Sequence, residues 1–324
     1  MKQILIILLL SLPVWALSGQ SGEKIPAGAQ KVYTGFYLMN VYDLNINAYS
    51  FYADFYLWFR WKGDFDPTNI EFVNAVEKWG FTQEMFYEEP KELEDGYLYN
   101  GMRIEGRFFH SFELKDFPLD NHKLDIRIEH VDYPIDSLVY LPDTGRFLLR
   151  SDLLIPGWNF QNATIRNHDY VYRTNFGEPS PSQPVFSNFT FEITINRPKS
   201  YFLLKLMLPL LVVILASLGA LVIHPRYLDA RVSLPIGGLL SCVFLQQSYG
   251  DALPDVGYMV LMDRIYLLSY MLIAAIMLRV IVVGNLLAKG GEEDAMLAMK
   301  KDRRRVWQFF TFFLASVLFL VLIK

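Results

Sequence analysis

The chain has 324 residues, a formal charge of −4, 52% hydrophobic side chains and 15% aromatic ones. A balance this close to neutral gives no footprint for nucleic acid, and the single cysteine, Cys242, excludes an intrachain disulfide. There is no HExxH, no GxSxG, no glycine-rich phosphate loop and no metal-spaced set of cysteines or histidines, so the sequence nominates no catalytic residue, no metal ligand and no cofactor.

Residues 1–18 read as an export signal. Lys2 is the basic start, Ile4 to Leu10 the apolar core, and Ala16-Leu17-Ser18 offers small residues for cleavage after Ser18. The alternative is an uncleaved anchor; either way residues 19–199 are exported. Within them short alternating runs recur: Val32–Tyr42, Ser50–Trp61, Gly96–Leu114, Lys123–His130, Trp158–Arg166 and Phe186–Asn196. Asp66-Pro67, Asp95-Gly96, Tyr133-Pro134, Pro142-Asp143 and Pro156-Gly157 punctuate them. Many strands with no long amphipathic helix between them predict an all-β sandwich of immunoglobulin-like layout. Asn69–Lys91 shows no clear period, and Gly177–Pro184 reads as an exposed loop.

Residues 200–324 change character. Stretches at about 201–223, 230–250, 258–287 and 305–323 each suit a membrane span, with a short connecting loop at 288–304. Arg226 and Arg231 mark the first-to-second connection; Lys289, Lys300, Lys301, Arg303, Arg304 and Arg305 mark the third-to-fourth. Positive residues stay in the cytoplasm. Both connections then lie inside the cell, as an exported amino terminus requires. The chain is expected to be an all-α four-helix membrane bundle following the sandwich.

In the second span, alternating steps of four and three give Asp229, Ser233, Gly237, Leu240, Phe244, Gln247 and Asp251. At 3.6 residues per turn these share one helix face, acidic at both ends and apolar in the middle. About 22 residues at 1.5 Å each span roughly 33 Å, close to a bilayer's hydrocarbon core. A polar stripe inside a membrane turns toward water or toward other helices. The face therefore reads as a pore lining or as the packed side of an ordinary polytopic helix. Pro235, with Gly237-Gly238 beyond it, predicts a kinked or flexible inner end.

Phe117-Pro118-Leu119-Asp120 resembles the [Phe/Tyr]-Pro-x-Asp signature of the pentameric ligand-gated ion channels, the Cys-loop receptor superfamily. Ordered matches support it: Val32–Leu38 as a first strand, Trp61-Lys62, Gly157-Trp158, Arg197 before the first span, Pro209 within it, and Leu253-Pro254 with Tyr258 linking the second and third spans. The loop cysteines of the family would fall at His110 and Leu124, so the chain resembles a prokaryotic member. The resemblance implies a homopentamer in the bacterial inner membrane, with its amino-terminal domain in the periplasm. It implies a ligand-gated, cation-selective channel passing monovalent cations. The competing reading is a membrane-anchored periplasmic binding or sensory protein without conduction.

On that resemblance Asp229 and Asp251 form selectivity rings, and Leu240 with Phe244 the hydrophobic gate. Arg231 is expected to point behind the pore. Agonist-site candidates are Tyr56, Val131, Tyr133, Tyr170, Tyr172, Phe176 and Phe186, an aromatic set suited to cations or equally to sandwich core. Asp120, Arg197, Pro118, Pro254 and Tyr258 are the coupling candidates, with the Asn45–Ala48 turn expected against the Pro254–Tyr258 link. The acids of a proton-gated bacterial member are missing at Asn40 and Ile46, which disfavours the same proton mechanism. An unidentified small molecule, a proton acting at His130, His168 or the Glu88–Asp95 run, or a divalent ion on that run remain as modulators. The bland reading of the run is a solvated loop.

Overall fold

The computed structural model describes residues 25–143, 148–177, 183–289 and 291–324; the export signal expected at 1–18 and most of the Gly177–Pro184 loop lie outside them. The strands are β1 (Gln30–Asn45), β2 (Ser50–Trp61), β3 (Ile70–Phe72), β4 (Ala75–Val76), β5 (Thr82–Met85) and β6 (Lys91–Glu92). They continue with β7 (Leu98–Phe109), β8 (Asn121–His130), β9 (Leu138–Pro142), β10 (Asn159–Val171) and β11 (Val185–Asn196). One sheet runs β4-β7-β2-β1-β9, with β5 and β6 also on β7; the other runs β10-β11-β8-β3. All pairings are antiparallel except β1 with β9.

Period-two patterning builds this sandwich. Along β2, Phe51, Ala53, Phe55, Leu57, Phe59 and Trp61 point inward and are fully buried; along β11, Phe189, Phe191, Ile193 and Ile195 do the same. Phe36 of β1 joins the layers, stacked on Phe55 of its own sheet at 4.4 Å and on Phe191 of the other at 3.9 Å. Gly35 has no side chain because the Trp58 ring occupies the space: a Cβ there would sit 2.0 Å from that ring. The Asn69–Lys91 stretch resolves into β3 to β6 around a 3₁₀ turn, Lys78–Gly80. Pieces of two to four residues are too short to display a period.

A π-helical turn, Tyr201–Met207, leads into α1 (Leu208–Gly219), followed by α2 (Leu228–Gly250), α3 (Leu261–Ala288) and α4 (Glu292–Leu322). Tyr201–Gly219, Leu228–Gly250, Leu261–Ala288 and Met296–Leu322 are long and apolar enough to cross a membrane. Several boundaries differ from the sequence reading. The first helix ends at Gly219 rather than 223, and tight turns carry the chain onward. The third starts at Leu261 rather than 258, where Asp263 caps the Val260 amide at 3.1 Å. The expected 288–304 loop is mostly helix, because 292–305 holds strong helix formers without glycine or proline. Acids at 293 and 294 also favour a helix N-terminus there. α2 starts at Leu228, two residues early, and runs as one helix through Pro235. Pro235 still removes the donor that the Arg231 carbonyl would ordinarily receive.

Candidate functional site

α2 has one buried strip and a broader exposed side that also includes Ile236, Leu239, Ser241 and Val243. Arg231, Pro235, Gly238, Cys242 and Tyr249 are buried within the chain. Asp229, Ser233, Gly237, Leu240, Phe244, Gln247 and Asp251 are all exposed, Leu240 at 55% and Phe244 at 64%. At about 100° per residue the exposed set falls in an arc of roughly 80°, on the opposite side from the buried one. The buried side is shaped for contact: a Cβ on Gly238 would lie 2.1 Å from Ser217 Oγ of α1, whereas Gly237 has nothing within 4 Å. On the free face Ser233 Oγ donates to the Asp229 carbonyl at 2.7 Å, and Gln247 Nε2 donates to the Asp251 carboxylate at 2.7 Å. Arg231 turns the other way, as expected, with no exposed side-chain surface.

The loop between β7 and β8 rests on the helices. The amides of Leu261 and Met262 donate to the carbonyls of Lys115 and Phe117 at 2.9 and 3.3 Å. Phe117, before a cis bond to Pro118, is buried and stacks on Tyr249 of α2 at 6.1 Å. Asp120 and Arg197 come together: Arg197 Nε donates to both carboxylate oxygens at 2.8 and 3.1 Å. The same carboxylate meets His122 Nε2 at 2.7 Å, and the guanidinium lies over the Trp158 and Phe117 rings. Tyr258 reaches the sandwich by accepting from the Leu114 amide at 3.0 Å. Pro254 lines a cavity of about 320 Å³ with Tyr249, Tyr258 and Asp263. Where the family's cysteines would stand, His110 Nδ1 faces Asp125 at 3.8 Å.

Among the aromatic candidates, Tyr170, Tyr172, Phe176 and Phe186 form one cluster. Tyr172 lies 4.8, 5.2 and 5.8 Å from the other three ring centroids. Tyr133 packs on His130 at 4.4 Å, and the Ile135 amide ties that loop to Val185 at the start of β11. Val131 and Tyr133 are exposed. Tyr56 stands apart from all of these on β2, beside Phe86 at 5.8 Å and under the Arg103 guanidinium. The sequence reading missed Glu129. It is 1% exposed at the end of β8, accepting from Tyr172 Oη at 2.9 Å and from Asn188 Nδ2 at 2.8 Å. The sequence carried no signal for it: Glu129 falls on the polar phase of the Lys123–His130 alternation, with Asp125 and Arg127. Burial and the Glu129 carboxylate push the Tyr172 phenol well above its usual range. The Glu88–Asp95 run is mostly exposed, and among the described residues no cluster of three or more metal-ligating side chains forms.

No family model matches the chain. It is 22% identical over 218 residues to a gamma-aminobutyric acid receptor subunit beta of Caenorhabditis elegans, covering 64% of this chain and 38% of that one. It is 24% identical over 151 residues to a gamma-aminobutyric acid receptor subunit gamma-4 of Gallus gallus, covering 47% and 32%. The matched stretches thus span well under half of these relatives. Weak likeness to receptor subunits, and a sandwich followed by membrane-length helices, support the superfamily resemblance carried by Phe117–Asp120.

Proposed function

We propose that the chain is the subunit of a homopentameric, ligand-gated, cation-selective channel whose pore is lined by α2. The observation that carries this reading is the free face of α2, which no other described part of the chain covers. A cyclic ring of copies places that face around an axis. Asp229 then forms a carboxylate ring at the cytoplasmic mouth that attracts cations and repels anions, and Asp251 a second ring outside. Leu240 and Phe244 form apolar rings that stop ions by dewetting when the bore is narrow. Ser233 and Gly237 leave the inner bore hydratable.

The agonist site is the Tyr170, Tyr172, Phe176 and Phe186 cluster with Val131 and Tyr133, completed by Tyr56 of the neighbouring subunit. That division explains why Tyr56 lies far from the cluster's contacts within one chain. Aromatic faces backed by the buried Glu129 favour a cationic ligand. Movement passes through Asp120, Arg197 and Pro118 to Pro254, Tyr258 and the second helix. The membrane is the bacterial inner membrane, with the sandwich in the periplasm.

Recording from purified protein in a planar bilayer tests the reading. Unitary currents are expected, reversing near the sodium potential in a sodium chloride gradient. Reversal near the chloride potential ends the selectivity argument. Absence of current under every amine, proton and divalent-ion condition favours the non-conducting sensor.

A further inference from the structure

The most deeply buried charges of the helical bundle meet at one carboxylate. Asp302 of α4 and Arg231 of α2 have no exposed side-chain surface, and Arg279 of α3 is 17% exposed. Arg231 Nη2 donates to Asp302 Oδ2 at 3.1 Å, and Arg279 Nε donates to Asp302 Oδ1 at 2.7 Å. Arg231 Nε is also held by the Ala220 carbonyl just beyond α1, at 2.8 Å. Its Nη1 is buried and has no hydrogen-bond partner among the described residues. One anion therefore serves two cations, and it comes from the helix that packs least against the others.

A guanidinium tolerates such burial only while paired. Without Asp302, Arg231 would keep one carbonyl and face a second cation, Arg279, with nothing between them to offset the repulsion. Arginine escapes that situation by threading its charged head along its apolar stem toward water. The water nearest to it lies at the same end of α2, where Asp229 stands exposed two residues away.

We propose that Asp302 is a positioning residue for ion selectivity: it anchors the Arg231 charge behind α2 and so leaves the negative field of Asp229 unopposed at the pore mouth. The inference rests on the cation-channel reading above. It assigns to α4 an influence on permeation although no residue of that helix lies on the free face of α2.

The test is a rescue series in the full-length protein, reconstituted in liposomes and read by reversal potential in a sodium chloride gradient. Asp302→Asn is expected to lower the sodium-to-chloride permeability ratio roughly threefold, the scale of a unit charge about 8 Å away in a wet, screened mouth. Arg231→Gln combined with Asp302→Asn removes the liberated charge and is expected to restore the ratio. Asp302→Glu keeps the anion and should stay near the wild-type value. If Asp302→Asn fails to assemble and the double variant does assemble, the unpaired Arg231 is the lesion and the proposal stands. A wild-type ratio in Asp302→Asn overturns it, as does a double variant that keeps the loss or a failure of both to assemble. A wild-type channel that passes chloride is a different failure: it sinks the selectivity reading before any variant is measured.

Discussion

The sandwich and the helical bundle handle apolar surface in opposite ways. In the sandwich every inward side chain of β2 and β11 finds its partner within the chain, and Phe36 locks one sheet to the other. In the bundle burial is uneven: 39% of the first span's most apolar stretch is buried against the chain, 22% of the second's, 33% of the third's and only 11% of the fourth's. Leu240 and Phe244 lie open on a helix whose other side is packed to contact. One half buries its inward apolar side chains within the chain; the other leaves much of its apolar surface open.

The sharpest way to break this contrast is to truncate one large side chain in each half. Phe36→Ala is expected to cost about 3–5 kcal/mol by opening a cavity between the sheets, read as a lower unfolding midpoint of the purified protein. Leu240→Ala is expected to leave that midpoint within about 0.5 kcal/mol while raising resting current in a bilayer. Equal losses from both would mean that Leu240 is core.

Adjacent glycines give a finer version within α2. Gly238→Ala drives a methyl group into Ser217 and is expected to destabilise by about 1–3 kcal/mol. Gly237→Ala meets open space and removes backbone freedom, so it is expected to stabilise by about 0.5–1 kcal/mol. Reversed signs would exchange the packed and free faces.

The smallest effect sharpens the sandwich side. Burial alone would raise the Asp125 carboxyl, but the neighbouring His110 and Arg127 hold it below its usual value of 3.8. A depressed carboxylate contributes stability above about pH 4 and loses it as pH falls through the folded-state value. Asp125→Asn is therefore expected to be less stable than wild type by about 1 kcal/mol at neutral pH, with the gap closing in acid. A gap independent of pH would remove the charge from the loop's support.

What the sequence made legible follows the same division. Periodicity needs length: β2 and β11 show it over 12 residues each, and the 3.6 period picks out the free face of α2 over 23. The strands between 70 and 92 were too short to announce themselves. The amino-terminal turns of α4 were misread because their charges look like a loop, although most of the residues favour a helix. Asp302, Glu129 and Phe86 escaped because what makes them matter is a partner 23 to 71 positions away. No local pattern encodes such a meeting.

The first turn of a helix leaves amide protons without partners of its own. In α3 those of Leu261 and Met262 are taken up by carbonyls of the sandwich loop. Pulling the two halves apart would bare both donors, at about 1–3 kcal/mol each when no water reaches them. The two amides therefore hold the first turn of α3 against that loop, much as pins keep a door in its frame.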